Sequence, residues 1–162
     1  MAWQLRVATS DDLEAIMAIE STTFGTDAWS SEMMAADLSS AHTYYLVAFH
    51  PESPDQVEGY AGLLAPGSAD ADIQTIAVVA SARRTGLGRM LMRALIAEAG
   101  RRGASAVFLE VRADKPGARH LYDTLGFEEI AVRPKYYQPD GVDAHIMRLT
   151  VTAPQISPAV GS

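Results

Sequence analysis

The segment Ile76-Ala77-Val78-Val79-Ala80-Ser81-Ala82-Arg83-Arg84-Thr85-Gly86-Leu87-Gly88-Arg89-Met90-Leu91 passes from an apolar run into a short loop and then directly into helical spacing. Gly86 and Gly88 let the backbone approach a ligand closely. A helix starting there turns its free N–H groups and its positive end toward one point, which suits a pyrophosphate. Arg83, Arg84 and Arg89 flank that point with cations able to pair with phosphate oxygens. A dinucleotide fingerprint needs a third glycine, but position 91 is leucine, and no Gly-Lys-Ser/Thr of a Walker loop exists. A lone Gly-x-Gly is also a common helix-entry turn, and arginines also form plain solvated faces. The combination favours phosphate binding.

Around this unit the patterning is that of one α+β domain. Strands are expected at Trp3–Thr9, Thr43–Phe49, Glu58–Leu64, Asp72–Val79, Ala104–Val111, Phe127–Arg133 and Asp143–Thr150. Helices are expected after the Thr9-Ser-Asp-Asp capping pattern, after Trp29-Ser30, over Gly88–Gly100 and over Pro116–Leu125. That order predicts a mixed, mostly antiparallel central sheet flanked by helices, with one βαβ unit. The domain is expected over residues 1–150, with 151–162 a flexible tail.

Composition narrows the function classes. Hydrophobic residues make up 48% and charged ones 20%, as in a globular chain. No apolar run approaches the roughly 18 residues of a membrane span, and the N-terminus lacks a signal-peptide pattern, so no membrane association is expected. Cysteine is absent, which excludes disulfides and thiolate nucleophiles and agrees with a cytoplasmic location. His42, His50, His120 and His145 show no ligand spacing, so no metal is expected. The absence of Gly-x-Ser-x-Gly removes support for a serine acyl-enzyme. Residues 1–82 hold twelve acidic residues against Arg6, a balance of −11, whereas residues 83–162 balance at +4. Phosphate repels that first half, so nucleic acid is not expected as a direct partner.

Arg83-Arg84-Thr85-Gly86-Leu87-Gly88 matches the Arg/Gln-x-x-Gly-x-Gly/Ala motif of the GCN5-related N-acetyltransferase (GNAT) family, and Leu121-Tyr122-Asp123-Thr124-Leu125-Gly126-Phe127 follows in the family's order. The chain resembles that family over roughly residues 4–150. Leu109-Glu110-Val111-Arg112 and Lys135-Tyr136-Tyr137, with Phe24 and Trp29-Ser30, resemble the members that acetylate the N-terminal alanine of a small-subunit ribosomal protein. The resemblance implies acetyl-CoA as co-substrate. The backbone of Ile76, Ala77 and Val78 would align the acetyl and pantetheine arm, and Arg83, Arg84, Thr85, Gly86, Leu87, Gly88 and Arg89 would hold the pyrophosphate. The family usually carries Asn before its last helix; here Asp114-Lys115-Pro116 stands there, and Lys115 cannot accept a hydrogen bond.

Acetylating an amine requires loss of an ammonium proton, stabilisation of the carbonyl oxygen and neutralisation of the departing thiolate. An α-amine with pKa about 8 is neutral roughly 300-fold more often at pH 7 than a lysine at about 10.4, so a modest base suffices for a protein N-terminus. Glu110, near the end of the apolar Val107–Val111 run, is the candidate base, with partial burial expected to raise its pKa. The plain alternative is an edge carboxylate that is solvated or paired with Arg112. Tyr122 is the candidate proton donor to sulfur; alternatively it packs beside Leu121 and Leu125. The resemblance implies that Trp29 lies on the acceptor side; Tyr136 and Tyr137 are candidates to contact the acceptor, because planar rings pack along an extended peptide, although strand-edge packing would explain them too. The expected activity is direct transfer in a ternary complex to the N-terminal peptide of a ribosomal or other protein. A small-amine acetyltransferase and a silent CoA-binding module are the competing readings.

Overall fold

The computed structural model describes residues 3–151; of the tail expected at 151–162, all but Val151 lies outside the described residues. Seven strands form one sheet in the order β1-β2-β3-β4-β5-β7-β6. They are β1 (Gln4–Val7), β2 (Thr43–Phe49), β3 (Gly59–Leu64), β4 (Asp70–Val78), β5 (Ala106–Arg112), β6 (Glu128–Tyr137) and β7 (Val142–Thr150). The helices are α1 (Leu13–Phe24), α2 (Ser31–Leu38), α3 (Leu87–Arg101) and α4 (Pro116–Thr124). Every neighbouring pair is antiparallel except β4 and β5, which α3 joins as the expected βαβ unit.

The pleat divides each strand between two cores. On β2, Tyr45 and Val47 point to a layer with Ile16, Ile19 and Met34 of α1 and α2. Leu46 and Ala48 point the other way, to Leu87, Leu91, Leu95 and Tyr122 of α3 and α4. The second core is the larger because α3 carries apolar residues at helical spacing, with Leu87, Leu91, Met92 and Leu95 all fully buried.

Local signals set the helix starts. Asp12 accepts the Thr9 N–H at 2.8 Å and an Arg6 fork at 2.8 Å per arm. Ser30 caps α2 through the Met33 N–H at 3.1 Å. The expected strand Phe127–Arg133 runs on to Tyr137, because a register shift between Arg133 and Tyr137 absorbs Pro134 and Lys135. Lys135 takes the left-handed φ of 53° there, and its N–H donates to Asp143 Oδ1 at 2.9 Å. β6 is an edge strand, where a missing proline N–H costs no ladder bond on its open side.

The feature that creates a site is a short ladder. β4 and β5 pair through only Asp70/Ala106, Ala71/Val107 and Asp72/Phe108. Beyond these pairs Ile73–Val78 and Leu109–Arg112 have no ladder between them, so the sheet opens at the carboxyl ends of its two parallel strands.

Candidate active site

The glycine loop lies at the open end of β4. Ala80–Ala82 form a 3₁₀ turn, and the Thr85 hydroxyl closes the next turn onto the Ala82 carbonyl at 2.5 Å. Arg84 has φ 61° and Gly86 has φ 88°, so two left-handed residues turn the loop into α3. Among the described residues, none of the backbone N–H groups of residues 84–89 has a partner; the first internal bond of the helix is Met90 N–H to Gly86 O at 3.0 Å. A row of unpaired amides at a helix N-terminus with alternating backbone hand is an anion cradle. The residues present therefore fit a pyrophosphate. At Gly88 a Cβ would meet only the Leu121 side chain, at 3.4 Å, whereas at Gly86 space is open and the left-handed φ is what requires glycine.

Not every residue of the motif contributes a side chain. Leu87 is fully buried, so only its backbone faces the loop. Arg89 Nη2 donates to the Thr124 hydroxyl at 2.7 Å and ties α3 to the end of α4. Arg83 and Arg84 are exposed and form no ion pair among the described residues, which leaves them free for phosphate.

The two catalytic candidates lie on opposite faces of the opening. Val107, Leu109 and Val111 of β5 belong to the α3/α4 core, so the alternating Glu110 and Arg112 project to the α1/α2 face. Glu110 is not buried as expected: it is exposed, and its partner is Arg133 of β6 at 3.7 Å, not Arg112. Glu110 is exposed there, whereas Arg112 further along the same face is covered by the turn after α1. Above Glu110 stand Tyr136 and Tyr137, edge to face with centroids 5.0 Å apart. The charge of Glu110, then desolvation, raises the Tyr136 phenol, while burial first and then Glu110 push Tyr137 up to about 12.

Tyr122 lies in the opposite core, edge to face with Phe127 at 6.0 Å, and its hydroxyl has no hydrogen-bond partner among the described residues. Burial pushes its pKa up to about 12. Outright proton transfer to a thiolate of pKa about 8.5 is then uphill by about 3.5 units, or ~5 kcal/mol. What the geometry offers is a phenol that stays protonated and carries a spare O–H.

Trp29 is half-buried against the α1/α2 core, and its backbone N–H donates to Glu20 Oε2 at 3.0 Å. Glu20, 1% exposed, also accepts from the Tyr60 hydroxyl and, at 3.0 Å, from Thr75. Sequence reasoning missed it, although a carboxylate at position 20 in line with Leu13, Ile16 and Phe24 interrupts the apolar stripe of α1. The Gly25–Asp27 stretch after α1 is a 3₁₀ turn that delivers Asp27 to Arg112. Lys115 stands at the start of α4 and lines a cleft of about 320 Å³ with Thr22–Asp27, Arg112 and Asp140.

The sequence profile of the Acetyltransferase (GNAT) family matches residues 13–127. N-alpha-acetyltransferase RimI of Mycobacterium tuberculosis is 34% identical over 144 residues, 86% of this chain and 87% of that protein. A longer Mycobacterium leprae protein, the uncharacterized ML0378, is 35% identical over 144 residues, and the chain spans only 38% of its length. The crystal structure of the ribosomal-protein-S18-alanine N-acetyltransferase from Escherichia coli superposes with a TM-score of 0.84 at 29% identity, covering 96% of this chain and 98% of that one.

Proposed function

The chain belongs to the GNAT acetyltransferase family, and on that premise we propose that it acetylates the α-amino group of a protein N-terminus with acetyl-CoA, by direct transfer in a ternary complex in the cytoplasm. The first acceptor to test is the N-terminal alanine of ribosomal protein S18, the substrate in the name of the similar E. coli enzyme. The observation that carries this reading is the opening between β4 and β5, with Glu110 on one face and Tyr122 on the other.

Acetyl-CoA, when bound, supplies an activated acetyl thioester. The amides of residues 84–89 would hold its pyrophosphate and Arg83 and Arg84 its charge, while the backbone of Ile76, Ala77 and Val78 would lie along the arm that enters the opening. Glu110 Oε1 or Oε2 takes the ammonium proton of the acceptor. Its carboxylate is open to solvent, and an α-amine requires no strong base. A Val78 N–H would donate to the carbonyl oxygen as charge builds there. As the thioester C–S bond breaks, the Tyr122 O–H would donate a hydrogen bond to the departing sulfur, and the second proton of the attacking nitrogen, lost as the amide forms, would neutralise the thiolate as CoA thiol. Tyr136 and Tyr137 would flank the incoming peptide, with Trp29 on the facing connection.

The test is to incubate the protein with acetyl-CoA and peptides differing at the first residue, a lysine-only peptide and small amines, and to locate acetyl groups by mass spectrometry. Acetylation of α-amines, alanine first, is expected. Modification of small amines alone, or CoA binding without turnover on any acceptor, overturns the reading.

A further inference from the structure

Arg112 is placed by strand alternation on the same face of β5 as Glu110, two residues or roughly 7 Å further along. Its guanidinium makes four hydrogen bonds to three carboxylates. Nη1 donates to Asp27 Oδ2 at 2.5 Å, Nη2 to Asp140 Oδ2 at 2.9 Å, and Nε and Nη2 grip Asp114 at 3.0 and 3.1 Å. The same group lies over the Tyr137 ring, 5.0 Å from its centroid. Its side chain is only 14% exposed, although Asp114 and Asp140 are about half exposed.

Those partners come from three separate connections. Asp27 belongs to the turn between α1 and α2, Asp114 to the loop from β5 into α4, and Asp140 to the turn between β6 and β7. Without the guanidinium no ion pair among the described residues would tie the three carboxylates together; Lys115 lines the same cleft but is within ion-pair distance of none of them. Only the planar fork of arginine can serve several acceptors at fixed angles from one buried point, which an ammonium on a flexible stem cannot.

We propose that Arg112 is the positioning residue of the acceptor side: by clasping Asp27, Asp114 and Asp140 it fixes the α1–α2 turn and the β6–β7 turn as the two walls between which the acceptor's first residues lie. The proposal rests on the reading of Glu110 as the group that receives the acceptor amine. Arg112 and Lys115 against three carboxylates leave one negative charge in excess beside that point, which favours a cationic chain end. Arg112 itself touches neither the amine nor the thioester.

The test compares Arg112→Lys, which replaces the fork shared by all three carboxylates, with Asp140→Asn and Asp27→Asn, each of which neutralises one arm and leaves the strand intact. Steady-state kinetics with an alanine-first peptide should show the peptide KM rising about 10- to 100-fold, with the acetyl-CoA KM kept within about twofold. Discrimination between small and bulky first residues should flatten in all three variants. Hydrogen exchange without any acceptor should speed up over residues 25–29 and 138–142 and stay unchanged over residues 84–89. That measurement decides the clasp even if no peptide proves to be a substrate, an outcome that would sink the proposed function instead. Unchanged exchange in the two turns, or a parallel rise of both KM values, would overturn the role of Arg112.

Discussion

Replacing Tyr122 with phenylalanine should separate stability from activity. The ring is 8% exposed and packs against Phe127, and the substitution keeps both the burial and the edge-to-face contact. Only the hydroxyl goes, and it has no protein partner. An unpaired hydroxyl in an apolar wall costs about 1–3 kcal/mol when fully buried; its position at the opening reduces that to ~1 kcal/mol or less. For a chain of this length ~1 kcal/mol corresponds to about 2–4 °C. Calorimetric melting of Tyr122→Phe should therefore match wild type or exceed it by a few degrees. Release of CoA thiol, followed with a thiol reagent, should fall by about 10²–10⁴ in kcat, since the phenol donates only to the departing sulfur. Affinity for acetyl-CoA should barely change, because the cradle at residues 84–89 is untouched. A variant that melts several degrees lower, or one that turns over at the wild-type rate, would refute the assignment: the first would reveal a structural hydrogen bond, the second an idle side chain.

Gly86→Ala meets no atom, so only its φ of 88° resists the change, at ~1–2 kcal/mol; titration calorimetry should show weaker acetyl-CoA binding in a folded protein, and an unchanged Kd would remove the cradle from the site. Glu110→Gln should slow transfer most at low pH, where the ammonium is hardest to deprotonate, and equal rates from pH 6 to 9 would dismiss it as the base. The raised pKa of Tyr122, about 12, lies above its unfolded value near 10. Its contribution to stability is therefore complete below pH 10 and lost as pH rises through 12, and Tyr122→Phe should reduce the alkaline loss seen in chemical denaturation. Residues 1–82 balance at −11, so raising salt from about 0.05 to 0.5 M should lower kcat/KM far more for a Lys/Arg-rich peptide than for a neutral one, and parallel salt curves would refute steering.

Local chemistry was legible. The strand, glycine loop and amphipathic helix around Arg83–Arg89 announce themselves because the left-handed turn and the apolar stripe of α3 are encoded within sixteen residues. The parity of β5 was legible too, since Leu109 and Val111 put Glu110 on the other face. Whether that face is covered depends on where α1 and α2 end, and the expected burial of Glu110 failed on that long-range question. Arg112 read as a neighbour for Glu110, but its partners Asp27 and Asp140 lie 85 and 28 positions away. The strand expected to end at Arg133 continues past Pro134 because β6 lies at the edge of the sheet.

The three-pair ladder between β4 and β5 has a consequence for how the molecule breathes. It is the shortest ladder in an otherwise continuous sheet, joining a four-stranded unit, β1–β4, to a three-stranded one, β5–β7, with α3 as the segment that crosses it. Partial opening should run along that line before either unit melts, in the manner of separate cooperative units. A molecule lodged between the two edges would act as a staple across the seam. At a hundredfold excess over its Kd it would add ~2.7 kcal/mol to the folded state. The same gap that admits a substrate would then make the resting protein the more easily opened one, and occupancy by the donor would set how long each copy survives proteolysis.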